Sequence, residues 1–457
     1  MKAEASILLA SFALYACKDT VTEQGFLVKV SNSDNVSGIV QLRASVSSET
    51  DPRDRNKDLL FPATATGKTI DFDTSFSFTI SANRSGNVDL IVEGLNSQAS
   101  VVAHAIETSM ALRAGNFPSV VLALKAGGVR PCDIYAAGKT PCVAAHSTVR
   151  ALFGAYSGSL YQVRRDLDNA TQDIAVLPLV GLADADSQNL FCESTSCVIT
   201  KVYDQSGNGN HLEYQGAGSS IGGLDDPASA TGESVMVAGR KAYSLYLKPG
   251  NSYWVDGSAK GVPTANAPES IYMVTSGTHA SDVCCFDYGN SEIDRSVGGA
   301  GSIDAIYFGT ICWWKACSGT GPWVQADFEG GIYPGGSKAW NPNQVALTSP
   351  FVIAMLKNNG TTSFALKGGD AQSGSLDTVY KGLLPAGYGP MKKQGALVLG
   401  SGGDCCSVNR SYSEGTFYEG AVVAGYATDA TDDLVHENIR AAGYTGIATR
   451  TSFGTQD

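Results

Sequence analysis

Two carboxylates stand two positions apart in Gly321-Pro322-Trp323-Val324-Gln325-Ala326-Asp327-Phe328-Glu329-Gly330-Gly331, the strongest chemical signal in the chain. On a strand, Asp327 and Glu329 would point to one face. Paired carboxylates flanked by aromatic rings are what glycoside hydrolysis uses. The rings stack on the C–H face of a sugar, and the acids supply proton donor, base or nucleophile. A solvent-facing strand edge would carry the same residues, so the spacing alone does not decide. A third acid follows glycines in Leu399-Gly400-Ser401-Gly402-Gly403-Asp404-Cys405-Cys406. The glycines let the backbone and the Asp404 carboxylate approach a ligand closely, although an ordinary turn has the same composition.

Cys284 and Cys285 are adjacent, in Cys284-Cys285-Phe286-Asp287-Tyr288-Gly289-Asn290-Ser291-Glu292. Neighbouring thiols make a poor metal clip, because one tetrahedral ion is rarely reached by both. They can form a vicinal disulfide across Cα atoms only ~3.8 Å apart, below the usual disulfide span. Such a bridge is a rigid sulfur ledge for one face of a sugar ring. Two unrelated buried thiols are the alternative.

The 457 residues, 43% hydrophobic, are ample for a large core and favour two domains. A net charge of −12 argues against nucleic acid as partner; it suits an extracellular protein acting on a neutral polymer. Residues 1–17 read as an export signal: Lys2, an apolar stretch too short to span a bilayer, then Leu14-Tyr15-Ala16-Cys17. That ending is similar to the lipobox of bacterial lipoproteins, with Cys17 as the lipidated residue. A plain secretory signal is the other reading. The expected location is therefore the bacterial cell envelope or surface, otherwise the medium, with any membrane attachment through a lipid alone.

Of the eleven cysteines, ten remain after Cys17: Cys132, Cys142, Cys192, Cys197, Cys284, Cys285, Cys312, Cys317, Cys405 and Cys406. They fall as five close pairs, as expected of local disulfides in an oxidising compartment. There is no C-x-x-C, and the five histidines are scattered, so no zinc site is expected.

Residues 27–125, after a tether over 18–26, alternate apolar and polar in runs such as Phe26-Leu27-Val28-Lys29-Val30 and Val88-Asp89-Leu90-Ile91-Val92. This predicts a small β-sandwich of immunoglobulin or fibronectin type, read as a spacer. A linker over 126–131 leads to a second domain over 132–450, with a tail over 451–457. There Val198 to Tyr203 is a strand, and Ser147 to Tyr156 fits helix or strand. The Gly/Asn-rich run Asp204 to Leu212 is a tight turn that resembles one in laminin-G-like and concanavalin-like sandwiches. Calcium there would find a single carboxylate. One helix is predicted over Asp433 to Ala442, with Asp432 as N-cap and Gly443 as stop.

Over about 131–450 the chain resembles the catalytic domain of glycoside hydrolase family 54, the α-L-arabinofuranosidases. The markers are Pro131-Cys132-Asp133-Ile134-Tyr135, Thr140 to Thr148, Tyr203 to Leu212, Gly277-Thr278-His279, Cys284 to Asn290, Gly321-Pro322-Trp323 and Gly415-Thr416-Phe417-Tyr418-Glu419-Gly420. The resemblance implies an all-β, concanavalin- or jelly-roll-like sandwich. It implies a retaining, exo-acting enzyme on arabinan, arabinoxylan or their oligosaccharides, monomeric and needing no metal or cofactor. Another furanoside or a xyloside as substrate, or a non-catalytic glycan-binding lipoprotein, are the competing readings.

By the same resemblance Glu329 is the nucleophile and Asp404 the acid/base. Asp327, Gly330 and Gly403 contact the sugar, and Cys284–Cys285 with Trp314 wall its subsite. Disulfides Cys132–Cys142 and Cys192–Cys197 are implied. The chain departs from the pattern where the family has Asn and this sequence has Gly330. Cys312 and Cys317 bracket Trp313 and Trp314 as an added bridge. Cys405 and Cys406 are open to a second vicinal disulfide or a link to Cys284 or Cys285.

Overall fold

The computed structural model describes residues 24–446, except 33–35, 49–58, 71, 73–74, 81–85, 98, 100, 113–117, 127–129, 155, 178–179, 215–224, 295–297, 316 and 401–413. Cys17, Gly403, Asp404, Cys405 and Cys406 lie outside the described residues.

The first part is built from seven strands: Gln24–Asn32, Gln41–Ser48, Leu59–Phe61, Ser75–Ile80, Gly86–Leu95, Val101–Leu112 and Ser119–Ala126. Period-two patterning explains them. Phe26, Val28 and Val30 are buried while Leu27 is 41% exposed, and Leu42, Ala44 and Val46 repeat the pattern. These side chains meet Val88, Leu90, Val92, Leu122 and Leu124 in one hydrophobic cluster. The first strand runs parallel to the last, Leu27 opposite Ser119. The longest, Val101–Leu112, escapes the sequence reading because His104, Glu107, Thr108 and Ser109 break its apolar alternation.

The second part has its own, larger core, spanning Cys132 to Tyr444. Its two main sheets have ten and seven strands, which makes it an all-β sandwich. In the ten-stranded sheet the consecutive neighbours Ala396–Gly400, Asp287–Ser291, Asp304–Gly309, Trp323–Asp327 and Ile332–Tyr333 carry the site. The other sheet centres on Glu269–Ala280, Gly415–Ala424 and Val352–Asn358. Phe286, Tyr288, Ile306 and Phe308 from the first sheet join Ile271, Met273, Val352 and Val422 from the second in that core.

Among the described residues three helices decorate the sheets, where the sequence predicts one. Pro131–Ala137 starts with Pro131 in the first turn, a position that suits proline. Ala185–Phe191 is capped by Asp184, which accepts from Ser187 N. Both have seven residues, too short for a helical period to show. The predicted C-terminal helix begins a turn earlier, as Asp429–Ala441. Its N-cap is Thr428, not Asp432, and the Thr428 side chain accepts from Thr431 N. Asp432 instead is buried and pairs with Lys357 and Lys367 at 2.6 and 2.9 Å. Among the described residues of Ser147 to Tyr156, none beyond Ser147, where the strand Cys142–Ser147 ends, belongs to a helix or strand.

The Asp204 turn is a structural knot. Asp204 Oδ1 accepts from Ala145 N and Ser206 N at 2.9 and 2.8 Å. Oδ2 accepts from Ser206 Oγ and Asn210 N at 2.7 and 3.0 Å. Both oxygens serve the turn and its neighbouring strand, so the Gly/Asn pattern is explained without an ion.

Candidate active site

The strand Trp323–Asp327 alternates cleanly. Val324 and Ala326, with Phe328 beyond them, enter the core. Trp323, Gln325 and Asp327 therefore share the opposite face. The strand returns through Ile332–Tyr333, with Asp327 opposite Ile332. Phe328 and Gly331 face each other, Phe328 N donating to Gly331 O at 3.5 Å, which leaves Glu329 and Gly330 as the turn.

Glu329 and Gly330 have φ of 63° and 73°. Positive φ at both central residues is the mark of the type I′ hairpin turn, where Asn-Gly and Asp-Gly are usual. Glu329 is thus a non-glycine residue held in left-handed backbone, a strain that tends to be kept at functional sites. The strand explanation for Asp-x-Glu is corrected here. The strand stops at Asp327, and Glu329 is placed by the turn.

That turn is pinned on both sides. Glu329 N donates to Asp327 Oδ1 at 3.0 Å, and Tyr388 Oη donates to Glu329 O at 2.8 Å. Gly301 N donates to Phe328 O at 2.7 Å. Gly330 fits the turn for the same reason that Asn would, since Gly and Asn enter left-handed backbone at least cost.

Cys284 and Cys285 form a disulfide. Cys285 packs with Tyr307 and Ile332 in a small apolar cluster beside the main core, with Cys284 and Ile311 against it. Cys285 Sγ lies 3.4 Å from Asp327 Oδ2. A disulfide sulfur has no hydrogen to donate, so this is a packing contact. The sulfur ledge and the Asp327 carboxylate therefore meet. With both sulfurs bonded to each other, neither is a thiolate for a metal, and neither is open to Cys405 or Cys406. Bridges Cys132–Cys142, Cys192–Cys197 and Cys312–Cys317 are also formed. Trp314 lies against the hairpin: a Cβ on Gly331 would collide with its ring.

Burial, then the charges of Asp327 and Glu292, push the Glu329 carboxyl up to about 8. Glu292 is itself fully buried, accepting from Ser302 Oγ at 2.5 Å. Its own carboxyl is raised, chiefly by burial. Sequence reasoning missed both Glu292 and Tyr388. Glu292 ends the Cys-Cys motif and shows no separate signal. Tyr388 stands 59 positions from Glu329, and nothing local to it points there.

Residues 131–445 match the family described as Alpha-L-arabinofuranosidase B, catalytic. The chain belongs to this family. Glycoside hydrolase family 54 is also where its structural likeness lies. A crystal structure of an arabinofuranosidase complexed with arabinofuranosyl-α-1,2-xylobiose is similar at a TM-score of 0.66 and 44% identity, over 69% of this chain and 66% of that one. A family 54 α-L-arabinofuranosidase soaked with a cyclic sulfate inhibitor gives the same values. Among curated relatives, the probable α-L-arabinofuranosidase B of Aspergillus fumigatus is 48% identical over 320 residues, covering 69% of this chain and 62% of its own. The α-L-arabinofuranosidase B of Emericella nidulans is 45% identical over 356 residues, covering 76% and 66%. The chain thus spans less than two thirds of the length of these relatives.

For this family 54 chain the charge arrangement makes a prediction. In Glu292→Gln one negative charge near Glu329 is gone, so Glu329 ionises at lower pH. The acid limb of kcat/KM should move to lower pH in a pH–rate profile on an aryl glycoside. An unmoved limb would show that Glu292 does not act on Glu329.

Proposed function

We propose that the chain is a retaining, exo-acting α-L-arabinofuranosidase that releases terminal arabinofuranose from arabinan, arabinoxylan or their oligosaccharides. The observation that carries this reading is the contact of the disulfide with Asp327, Cys285 Sγ 3.4 Å from Asp327 Oδ2, in a family 54 chain. Relatives bearing that name, and one crystallised with an arabinofuranosyl xylobiose, support it.

Glu329 is the nucleophile. Fixed on the turn, it attacks the anomeric carbon while Asp404 protonates the leaving oxygen. Water then enters with Asp404 as base, and the glycosyl-enzyme is released. Asp404 follows the strand Ala396–Gly400 by four residues. Gly400, Asp287, Tyr307 and Gln325 stand in one cross-sheet row. Three strand spacings separate Gly400 from the Gln325 strand, roughly 14 Å. The strand that leads to Asp404 in the chain thus belongs to the same sheet as the strand that ends at Asp327.

The raised Glu329 sets a condition. A nucleophile must be ionised, and here the neighbouring charge of Asp327 opposes it. A sugar hydroxyl donating to Asp327 would offset that contribution, while burial, the larger cause, would remain. Cys284–Cys285 and Trp314 supply apolar walls, and Gly330 and Gly403 let the ring approach the backbone.

The four described disulfides support an oxidising compartment, hence export. Lipidation at Cys17 rests on the Leu14-Tyr15-Ala16-Cys17 sequence alone, and the fungal relatives lend it nothing. Mass spectrometry of the mature N-terminus decides it. We take residues 27–125 as a spacer domain before a catalytic domain over 132–450.

The test is a panel of aryl α-L-arabinofuranoside, aryl β-D-xyloside and aryl β-D-galactofuranoside, with the anomer of the first product followed by NMR. Hydrolysis of the arabinofuranoside with retained configuration is expected. Turnover of another member alone would reassign the substrate, inversion would remove the covalent step, and no turnover would leave a glycan-binding protein.

A further inference from the structure

Tryptophan is unevenly placed. Of five in the chain, Trp313, Trp314, Trp323 and Trp340 gather beside the hairpin. Trp313 and Trp314 are 6.5 Å apart at 74°, Trp323 and Trp340 4.8 Å apart at 69°. With Gln325 and Lys338, three of them line a shallow surface depression, open to solvent.

Three observations point to an occupant. Trp313 is 40% exposed, on a loop that the Cys312–Cys317 bridge closes. A rigid loop holding a large ring in water has already met part of the ordering cost of binding. Next, the Trp314 Nε1 donor is buried with no hydrogen-bond partner among the described residues. Buried indole N–H groups normally find one. Finally, Lys338 Nζ stands 4.6 Å from the Trp314 ring, adding donors at the rim. Flat apolar faces edged by donors match a molecule with a C–H face and hydroxyls on its rim, a sugar, better than a purely apolar ligand.

Position says which sugar. Gln325 shares the strand face of Asp327 and precedes it by two residues, about 7 Å along the strand. The depression therefore adjoins the acid pair on one surface, where the next ring of the same glycan would lie. A chair pyranose offers an aromatic face a broad, even row of C–H groups. A puckered furanose offers a smaller, uneven one.

We propose that the Trp313–Trp340 depression is a subsite for the sugar that carries the scissile arabinose, and that it selects a pyranose. This rests on the arabinofuranosidase reading above and narrows it: a xylopyranose backbone is preferred over an arabinofuranose one.

The test separates the two ideas by reading binding without turnover. Xylotriose and α-1,5-arabinotriose are titrated into the full chain by calorimetry. Xylotriose should bind more tightly. Trp313→Ala should weaken it by roughly tenfold, the worth of a well-packed aromatic contact, and Trp313→Phe should restore most of that. On arabinoxylan oligosaccharides KM should rise in Trp313→Ala with kcat nearly held. Equal binding of the two trisaccharides, or xylotriose affinity untouched in Trp313→Ala, would overturn the subsite. Failure of the wild type on every aryl glycoside would instead remove the parent reading and leave the binding result standing.

Discussion

Glu329→Ala should abolish release of arabinose from aryl α-L-arabinofuranoside, with kcat down by about 10⁴-fold or more, the scale expected when the residue removed is the proposed nucleophile acting in concert with other groups. Asp404→Ala loses activity too. Its loss is smaller on an aryl group that leaves without protonation, because only the acid's share of the first step is then forgiven. Near-normal turnover in either variant removes that residue from the mechanism.

Stability tells a lost catalyst from a lost fold. The Glu329 carboxyl sits at about 8 in the folded chain against 4.5 unperturbed. The folded state therefore holds the proton more tightly, and this group opposes folding increasingly as pH rises from 4.5 to about 8. Glu329→Gln should melt higher than wild type near pH 9 and show no such gain near pH 4, where both states are protonated. An inactive variant that is also more stable at high pH is the signature of a functional strain. A variant that melts lower at every pH would mean that Glu329 supports the fold.

Arg150→Met is the largest expected loss of stability. Arg150 is 1% exposed and Glu419 fully buried. Their bidentate pair includes Arg150 Nη2 to Glu419 Oε1 at 2.6 Å. Arg150 also donates to Asn438 Oδ1 at 3.1 Å, and Tyr444 Oη donates to Glu419 Oε2 at 2.6 Å. Burial works against the Arg150 charge, yet Glu419 more than offsets it and raises the guanidinium overall. Arg130, nearby, is pulled down to about 10 by burial and by Arg150. Met at position 150 leaves Glu419 charged and short of its main partner, at a cost of about 3–5 kcal/mol. Urea unfolding followed by tryptophan fluorescence reads this part of the chain alone, since all five tryptophans lie between 254 and 340. Arg150→Met with Glu419→Leu should recover much of the loss, because the orphaned charge is gone. No loss in the single variant would mean that water reaches the pair.

Much of the site was legible because its parts are contiguous. Cys284 and Cys285 needed only adjacency. Asp327 and Glu329 needed only their spacing, although the reason given by spacing was wrong, since Glu329 stands on a left-handed turn beyond the strand. The strands of residues 24–126 announced themselves through alternation, except Leu59–Phe61, too short to show a period, and Val101–Leu112, where polar residues interrupt it. The two short helices were invisible for want of a second turn of pattern. Thr428 as N-cap was missed because Asp432, nearer the apolar run, had the same chemistry and was claimed instead by Lys357 and Lys367.

Residue types and neighbours in the chain thus determined the all-β class, the local cysteine pairs, the two separate cores and the acids worth testing, because period-two burial and short-range covalent geometry are local properties. Only the tertiary structure brought Tyr388 to the Glu329 carbonyl, buried Glu292 where its charge raises the Glu329 carboxyl, set three tryptophans beside Gln325 and joined Arg150 to Glu419 across 269 positions. Those contacts depend on which strands lie side by side, and the backbone pairing that decides this carries no signature in any one stretch of sequence.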